Sequence, residues 1–304
     1  MSICRFAEWG VIFEVMKPMI PEVVLTAVSQ ELGRSTGKAE RISGGCIHHT
    51  YALYTETGKL FLKYNRLEQA TDFAIEARGL RLLGGTNTLA VPQVFGHGQA
   101  GRFAYLLLEW VEQGRQGRDY WTVFGEQLAR MHQHSQPQFG LDHDNYIGAL
   151  AQVNTQVADW TTFFIEQRLQ PMVRMARERG HLTRGDQQDF EQLYQRLPGI
   201  FPEEPPALLH GDLWGGNILT GLDGHPVLID PAVYYGHREM ELAFMTLFDQ
   251  QPPGFYEAYE GLYPLATDWR RRIALCNLYP LLVHVNLFGG GYLTSLRNAL
   301  RQYV

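Results

Sequence analysis

Residues 210–217 have the sequence His-Gly-Asp-Leu-Trp-Gly-Gly-Asn, and Ile-Asp-Pro follows at 229–231 after a short hairpin pattern. The hairpin folds the chain back on itself, so it brings Asp230 beside Asn217. In phosphoryl transfer a carboxylate such as Asp212 accepts the proton of an attacking hydroxyl, and oxygens such as those of Asn217 and Asp230 bind Mg²⁺ at the phosphates. Aspartates also cap turns, but the combined spacing favours the catalytic interpretation.

A cation for the phosphates is predicted upstream. Lys63 ends the apolar strand Leu60-Phe61-Leu62, and Glu76 on the next predicted helix is placed to pair with it. A lysine at a strand end is more often a solvated edge residue, so the prediction depends on the downstream Asp-Asn-Asp set. Gly44 and Gly45 occupy the place of a phosphate-covering loop, although a plain hairpin bend would look the same.

An adenine site is expected where the first third of the chain ends. Leu106–Val111 is an apolar strand, and the backbone of Glu109 and Val111 is placed to hydrogen-bond an adenine edge. An ordinary core strand is compatible with that role. The expected cofactors are therefore ATP and Mg²⁺.

The patterning predicts an α+β chain with two lobes. Residues 1–20 form an extension, 21–111 a small antiparallel β lobe with one inserted helix that binds nucleotide, 112–119 a polar hinge, and 120–304 a mainly helical lobe with the catalytic loop and substrate pocket. In the small lobe, helices are expected after Pro21 and over Leu67–Leu83, a hairpin around Tyr51–Leu62, and strands at Pro92–Gly96 and Phe103–Glu109. In the larger lobe the helical pattern covers Tyr120–His132, Val157–Arg179, Gln187–Leu197, Glu239–Phe248 and Trp269–Phe288.

Composition excludes several classes of protein. The 304 residues are 45% hydrophobic and 19% charged, and 26 Lys and Arg against 32 Asp and Glu leave a formal charge of −6. With no basic run, nucleic acid and anionic membranes are poor partners, and no apolar stretch is long enough for a membrane helix. Three cysteines without Cys-x-x-Cys spacing disfavour a disulfide scaffold and indicate a cytoplasmic location.

Several segments together resemble the fructosamine (ketosamine) kinase family, within the protein-kinase-like and aminoglycoside phosphotransferase-like fold. They are GGCIHHTY (44–51), FLKYN (61–65), HGDLWGGN (210–217), IDPAVYYGHREMELA (229–243) and LFGGGYL (287–293). The resemblance runs from about Val23 to Leu293. It implies ATP-dependent phosphorylation of a sugar hydroxyl on a ketosamine, a deglycation-type repair activity. Asp212 would be the base, Asn217 and Asp230 the metal ligands, and Lys63 and Glu76 the nucleotide residues.

The acceptor is expected to be small, because the chain enters a helix soon after Asp230 and leaves no room for a peptide-binding segment. Trp214 offers an indole face to a sugar, with a buried core residue as the equal alternative. The other candidate acceptor residues are Tyr234, Tyr235, Arg238 and Glu239, with a structural ion pair as the alternative for Arg238. His237, which is predicted to lie near the acceptor side, departs from the family pattern, where Asp is more usual.

Two further predictions concern cysteine and histidine. Cys46 in the glycine loop would be an oxidisable thiol, so a redox-linked homodimer is an alternative to a monomer, and a plain loop residue is an equal interpretation. His132, His134 and His143 are predicted to be a solvated helix end rather than a metal site.

Two alternatives to the function of a ketosamine kinase are considered. A related phosphotransferase would act on an aminoglycoside, a choline-like alcohol or another sugar. A non-catalytic scaffold is disfavoured, since Lys63, Glu76, Asp212, Asn217 and Asp230 are all present.

Overall fold

The computed structural model describes residues 20–42, 48–68, 72–248 and 250–304. Its N-terminal part is an antiparallel sheet in the order β1-β2-β3-β5-β4 with a helix on each face. The elements are α1 (Glu22–Leu32), β1 (Ala39–Arg41), β2 (His49–Thr55), β3 (Gly58–Arg66), α2 (Phe73–Gly84), β4 (Val94–Ala100) and β5 (Phe103–Glu109).

Alternation along β5 explains why both faces of the sheet are covered. Tyr105 and Leu107 pack with the buried residues of α1, whereas Leu106 and Leu108 pack with those of α2. Lys63 lies opposite Leu106 in the register of β3 and β5, so it shares the α2 face. This register brings its side chain to Glu76 on α2.

Residues 112–119 contain neither helix nor strand and lead into the C-terminal part. Its helices are α3 (Tyr120–His132), α4 (Trp160–Phe163), α5 (Gln170–Glu178), α6 (Arg184–Arg196), α7 (Glu239–Phe248), α8 (Pro253–Leu262), α9 (Ile273–Cys276), α10 (Leu278–Phe288) and α11 (Leu293–Leu300). Its strands form antiparallel pairs: β6 (Asn145–Ile147) with β7 (Leu150–Gln152), β9 (Ile218–Thr220) with β10 (Pro226–Leu228), and β8 (Ala207–Leu209) with β11 (Tyr234–Gly236). In the part of the chain that is described, no helix is both long and apolar enough to cross a membrane.

Four predicted helices and one strand were wrong in their extent. The helix predicted at Gln187–Leu197 is α6, which begins at Arg184, and the strand predicted at Pro92–Gly96 is β4, Val94–Ala100. The Leu67–Leu83 helix begins only at Phe73, because Asp72 caps it by accepting a hydrogen bond from the Ala74 N–H at 2.9 Å. Val157–Arg179 is divided into α4, a π-helical turn (Phe164–Leu169) and α5. Trp269–Phe288 is divided into a 3₁₀ turn (Trp269–Arg272), α9 and α10.

Elements missed from the sequence are those with weak local signals. The pairs β6–β7 and β8–β11 consist of strands of three residues, too short for a period of two. Helix α8 contains Gly254 and Gly261, and α11 follows three glycines, so neither has a clear helical pattern.

Asp186 in the first turn of α6 gives a prediction about stability. Its carboxylate accepts hydrogen bonds from Arg297 at 2.7 and 2.8 Å and from the Thr183 N–H at 2.8 Å. Arg297 and Thr183 therefore hold the pKa of Asp186 well below its usual value. We expect Asp186→Asn to lower the free energy of unfolding by about 1–3 kcal/mol at pH 7, measured by urea denaturation.

The sign of the pH dependence follows from the lowered pKa. The unfolded chain binds the proton more tightly than the folded chain, so this contribution is complete above the unfolded pKa of about 4 and is lost as the pH falls further. The difference between wild type and Asp186→Asn should shrink below pH ~4. Asp189→Asn on the same helix is the control, and a pH-independent difference would contradict the assignment.

Candidate functional site

The segment 210–217 forms a tight loop between β8 and β9. Gly211 has φ +83°, and a Cβ there would lie 2.1 Å from the Ala232 carbonyl oxygen, so only glycine fits. His210 is fully buried, its Nε2–H donates to the Ile229 carbonyl at 3.0 Å, and its Nδ1 accepts from the Asp212 N–H at 3.3 Å. Burial lowers the pKa of His210, so it is a neutral residue that holds the loop.

Asp212 has the environment of a general base. The Asn217 side-chain amide donates to its carboxylate oxygen at 2.9 Å and to its backbone carbonyl at 2.8 Å. Burial raises the pKa of Asp212 to about 7; it outweighs the opposing hydrogen bond from Asn217, and the nearby charges of Asp230 and Glu241 add smaller upward contributions. A carboxylate with a pKa near the working pH is suited to general-base catalysis.

Lys63 lies between two carboxylates that come from different parts of the chain. Its ammonium group is 2.8 Å from Glu76 and also contacts Asp230. Burial alone would lower the pKa of Lys63, but the charges of Asp230 and Glu76 outweigh burial and raise it. The structure thus joins the predicted pair Lys63–Glu76 to Asp230.

Asp230 and Asn217 are neighbours, as the hairpin pattern predicts. The Ile229 N–H donates to the Asn217 carbonyl at 3.0 Å. Asp230 has φ +55°, an uncommon conformation for a residue other than glycine and one that is often found at functional sites. Burial favours protonated Asp230, but Lys63 outweighs burial and lowers its pKa.

The oxygens of Asn217 and Asp230 suit Mg²⁺. Since the Asn217 amide nitrogen is turned to Asp212, its amide oxygen faces away from that residue. The Asp230 side chain is 47% exposed, so its carboxylate is accessible from solvent. Carboxylate and amide oxygens are hard ligands of the kind that Mg²⁺ prefers, so the donor set fits the ion.

Not every nucleotide residue named from the sequence can be placed. Gly44, Gly45 and Cys46 lie outside the described residues, as does most of the predicted extension 1–20. The Glu109 N–H donates to the Gln93 carbonyl at 2.8 Å, so an adenine contact at Glu109 falls to its carbonyl. Val111 lies in the segment that follows β5 and has no helix or strand.

Glu241 was missed from the sequence, yet it supports the loop. It accepts hydrogen bonds from the His210 N–H at 3.0 Å, the Gly211 N–H at 2.7 Å and His132 Nε2 at 3.0 Å. Burial favours protonated Glu241, but the bonds from His132 and Gly211 lower its pKa. The glutamate on α7 therefore holds the backbone next to Asp212 as a buried carboxylate.

His132 corrects the prediction of a solvated helix end. It is 1% exposed because it lies between Glu241 and the Tyr259 hydroxyl, which is 2.8 Å from Nδ1. No group of three or more His, Cys, Asp or Glu side chains among residues 20–42, 48–68, 72–248 and 250–304 could hold a metal ion.

We expect Glu241→Gln to lower kcat by about 10- to 100-fold, because a side-chain NH₂ would face a backbone N–H and shift the Asp212 loop. The measurement is kcat together with the dissociation constant for nucleotide, which should change little. A variant with a lowered melting temperature but wild-type kcat would limit Glu241 to folding.

A cleft of about 400 Å³, which includes the solvent at its mouth, opens beside Asp212. Tyr234 lines it, together with Phe244, Tyr279 and His284. Trp214 is 40% exposed, so it is not a core residue. A Cβ at Gly216 would be 2.2 Å from the Trp214 ring, so this glycine makes room for the indole.

The remaining candidate acceptor residues are placed elsewhere. Arg238 forms a bidentate ion pair with Glu204 at 2.7 and 2.8 Å, which matches the alternative of a structural ion pair. Glu239 accepts two hydrogen bonds from Arg272, each of 2.7 Å. Neither these two residues nor Tyr235 belongs to the lining of the cleft.

His237, the departure from the family pattern, also lies outside the cleft lining. It is fully buried, and its Nε2 is 3.3 Å from the Pro202 carbonyl. It therefore packs inside the lobe instead of on the acceptor side.

Comparison with known proteins decides the family. The family model for fructosamine kinase matches residues 20–304. The chain belongs to the fructosamine kinase family. It is therefore a phosphotransferase, with the protein-kinase-like fold expected from its sequence.

Individual relatives support the same family membership. A probable ketoamine kinase of Synechocystis is 38% identical over 284 residues, which cover 90% of this chain and 95% of that protein. A crystal structure of a Thermobifida fusca protein assigned as a fructosamine-3-kinase superposes with a TM-score of 0.84 at 38% identity, covering 91% of this chain and 97% of the other. An aminoglycoside phosphotransferase with a TM-score of 0.58 and 16% identity, covering 91% and 98%, shares the fold alone.

Proposed function

We propose that this fructosamine kinase family member phosphorylates a sugar hydroxyl of ketosamines with ATP and so starts the removal of glycation adducts. The observation that carries the proposal is that Asn217 connects Asp212, with its raised pKa, to the segment that carries Asp230, which in turn pairs with Lys63. Membership of the family supports the sugar-amine acceptor.

One residue acts on the acceptor, and the others act on the nucleotide and its metal ion. The oxygen of the acceptor hydroxyl forms a bond to the γ-phosphorus while the bond between that phosphorus and ADP breaks. Asp212 takes the proton that the hydroxyl loses. Lys63, oriented by Glu76, neutralises phosphate charge. Asn217 and Asp230 would hold Mg²⁺, which supplies further charge neutralisation at the phosphates when bound.

Adenine would lie against the backbone of Glu109 and Val111, with Gly44 and Gly45 over the phosphates. The acceptor would lie on Trp214 and Tyr234. This is supported by the position of Tyr234 in the cleft lining and by the contact of Trp214 with Phe248, which contacts His284 of the same lining. Arg238 and Glu239 are assigned to structural ion pairs. The cytoplasmic location and the redox role of Cys46 stay predictions.

A panel of acceptors tests this function. Purified enzyme with Mg-ATP is assayed by coupled ADP release against ribulosamine and fructosamine adducts, free sugars, an aminoglycoside and choline. Turnover confined to the ketosamines is the expected result. Turnover of an aminoglycoside or choline alone would overturn the proposed acceptor and leave the phosphotransferase intact.

A further inference from the structure

The segment LFGGGYL at 287–293 has no role in the reaction described so far. Helix α10 ends at Phe288, and Gly289 then adopts φ 79° and ψ −150°, a conformation that is essentially restricted to glycine. A 3₁₀ turn over Gly290–Tyr292 follows. The turn places the rings of Phe288 and Tyr292 6.1 Å apart.

These two rings belong to a continuous surface of aromatic side chains, which we name the aromatic strip: Trp214, Phe248, His284, Phe288 and Tyr292. Successive ring centroids are 5.9 Å apart for Trp214 and Phe248, 5.2 Å for Phe248 and His284, and 5.7 Å for His284 and Phe288. Tyr292 is 4.8 Å from His284.

The aromatic strip is exposed to an extent that suggests binding. Phe288 is 65% exposed, Trp214 40% and Phe248 37%. Large apolar side chains exposed together on one surface commonly mark an interaction site.

The aromatic strip is also continuous with the cleft that Asp212 lines. His284 lines the same cleft as Asp212 and contacts three other members of the strip. A molecule whose hydroxyl lies at Asp212 can therefore extend directly onto these rings.

The charges around the strip define what it accepts. Asp212 and Glu241 are the carboxylates in the lining of the described cleft, and three N–H donors already occupy Glu241. His284 donates from Nδ1 to the Pro280 carbonyl at 2.7 Å, and burial lowers its pKa, so it is neutral. Apolar and aromatic groups suit such a surface, and a substrate ammonium is attracted to ring faces.

We infer that the aromatic strip is the subsite for the amine side of the acceptor, and that it binds an apolar or aromatic substituent on the ketosamine nitrogen. The inference rests on the proposed function. One sugar ring stacks on one aromatic face, such as that of Trp214, whereas the rings of Phe288 and Tyr292 follow Trp214 in the strip after Phe248 and His284. The nitrogen substituent is the part of a ketosamine that continues past the sugar.

The test compares two fructosamines that share the sugar, one made from benzylamine and one from methylamine. We expect wild type to have the lower KM for the benzylamine adduct. Phe288→Ala should raise that KM about tenfold, the loss expected for an aromatic contact, and raise the KM of the methylamine adduct by less than about twofold. Phe288→Tyr should retain the preference, and Leu222→Ala, at an exposed apolar residue in the β9–β10 turn, is the control.

The outcomes separate this inference from the proposed function. If both adducts are phosphorylated but Phe288→Ala affects them equally or not at all, the subsite is overturned and the function stands. If neither adduct is phosphorylated, both are overturned. If sedimentation shows a wild-type dimer that Phe288→Ala converts to a monomer, the strip is a contact between two copies and the inference is also overturned.

Discussion

Asp212→Asn is expected to lower kcat by about 10²–10⁴-fold, the usual contribution of a general base, while Mg-ATP still binds. The amide oxygen of an asparagine still accepts the hydrogen bond that Asn217 now donates to Asp212, so the loop geometry is retained. Only the ability to take the hydroxyl proton is removed. The measurements are kcat in the coupled assay and the ATP dissociation constant by calorimetry.

The pH dependence provides an independent check on Asp212. Burial raises its pKa to about 7, so in the free enzyme half of the molecules are protonated near that pH. The base is active only when ionised, so kcat/KM for the acceptor should fall about tenfold per pH unit below 7 and level off above it.

As the pH rises, the stability contribution of Asp212 should fall while the activity rises. The folded state binds the Asp212 proton more tightly than the unfolded chain, so ionised Asp212 makes folding less favourable as the pH rises from about 4 to 7. Asp212→Asn should therefore melt at a higher temperature than wild type at pH 8. Asp223→Asn, in an exposed turn, is the control for the melting temperature. In the kinetic assay, turnover near wild type in Asp212→Asn would reject the assignment of Asp212 as the base.

Lys63→Met is expected to lower kcat/KM for ATP by about 10²–10³-fold, the effect of removing one group that stabilises transferring charge. Methionine retains the apolar stem in the sheet but leaves Glu76 and Asp230 without their shared cation. The negative charge of Asp230 would then face the phosphates uncompensated, and the pKa of Glu76, which burial already raises, would rise further without Lys63. The measurements are steady-state kinetics with varied ATP and calorimetry of Mg-ATP binding.

Two variants make the Lys63 result specific. Lys38→Met removes an exposed lysine of the same lobe, 72% exposed in its side chain, and should leave the kinetics unchanged. Glu76→Gln should have a smaller effect than Lys63→Met, because Asp230 still orients the ammonium group. Unchanged ATP kinetics in Lys63→Met would mean that the buried lysine serves only to stabilise the fold.

Much of the local structure was predictable from the sequence because it is determined by neighbours along the chain. The period-two run at Phe103–Glu109 and the helical period at Tyr120–His132 give β5 and α3 with the predicted bounds. The spacing of Asp212, Asn217 and Asp230 likewise indicated a site, since a loop and a short hairpin connect these residues directly.

Contacts between distant segments were not predictable in the same way. Glu241 looks like any glutamate at the start of a helix, but it lies under His210 and Gly211 in the fold. Arg238 and Glu239 lie in the same segment as the candidate acceptor residues Tyr234 and Tyr235, yet they pair with Glu204 and Arg272, which come from other segments.

The sequence alone therefore determined the family and most of the strands and helices, and it named the residues that are proposed to carry the chemistry. The tertiary structure decided which carboxylate supports the Asp212 loop, which residues face the cleft, and that the aromatic side chains of three separated segments form one exposed surface. The physical reason is that hydrophobic periodicity records which face of an element is buried, but the partner that buries it is selected only when distant segments pack together.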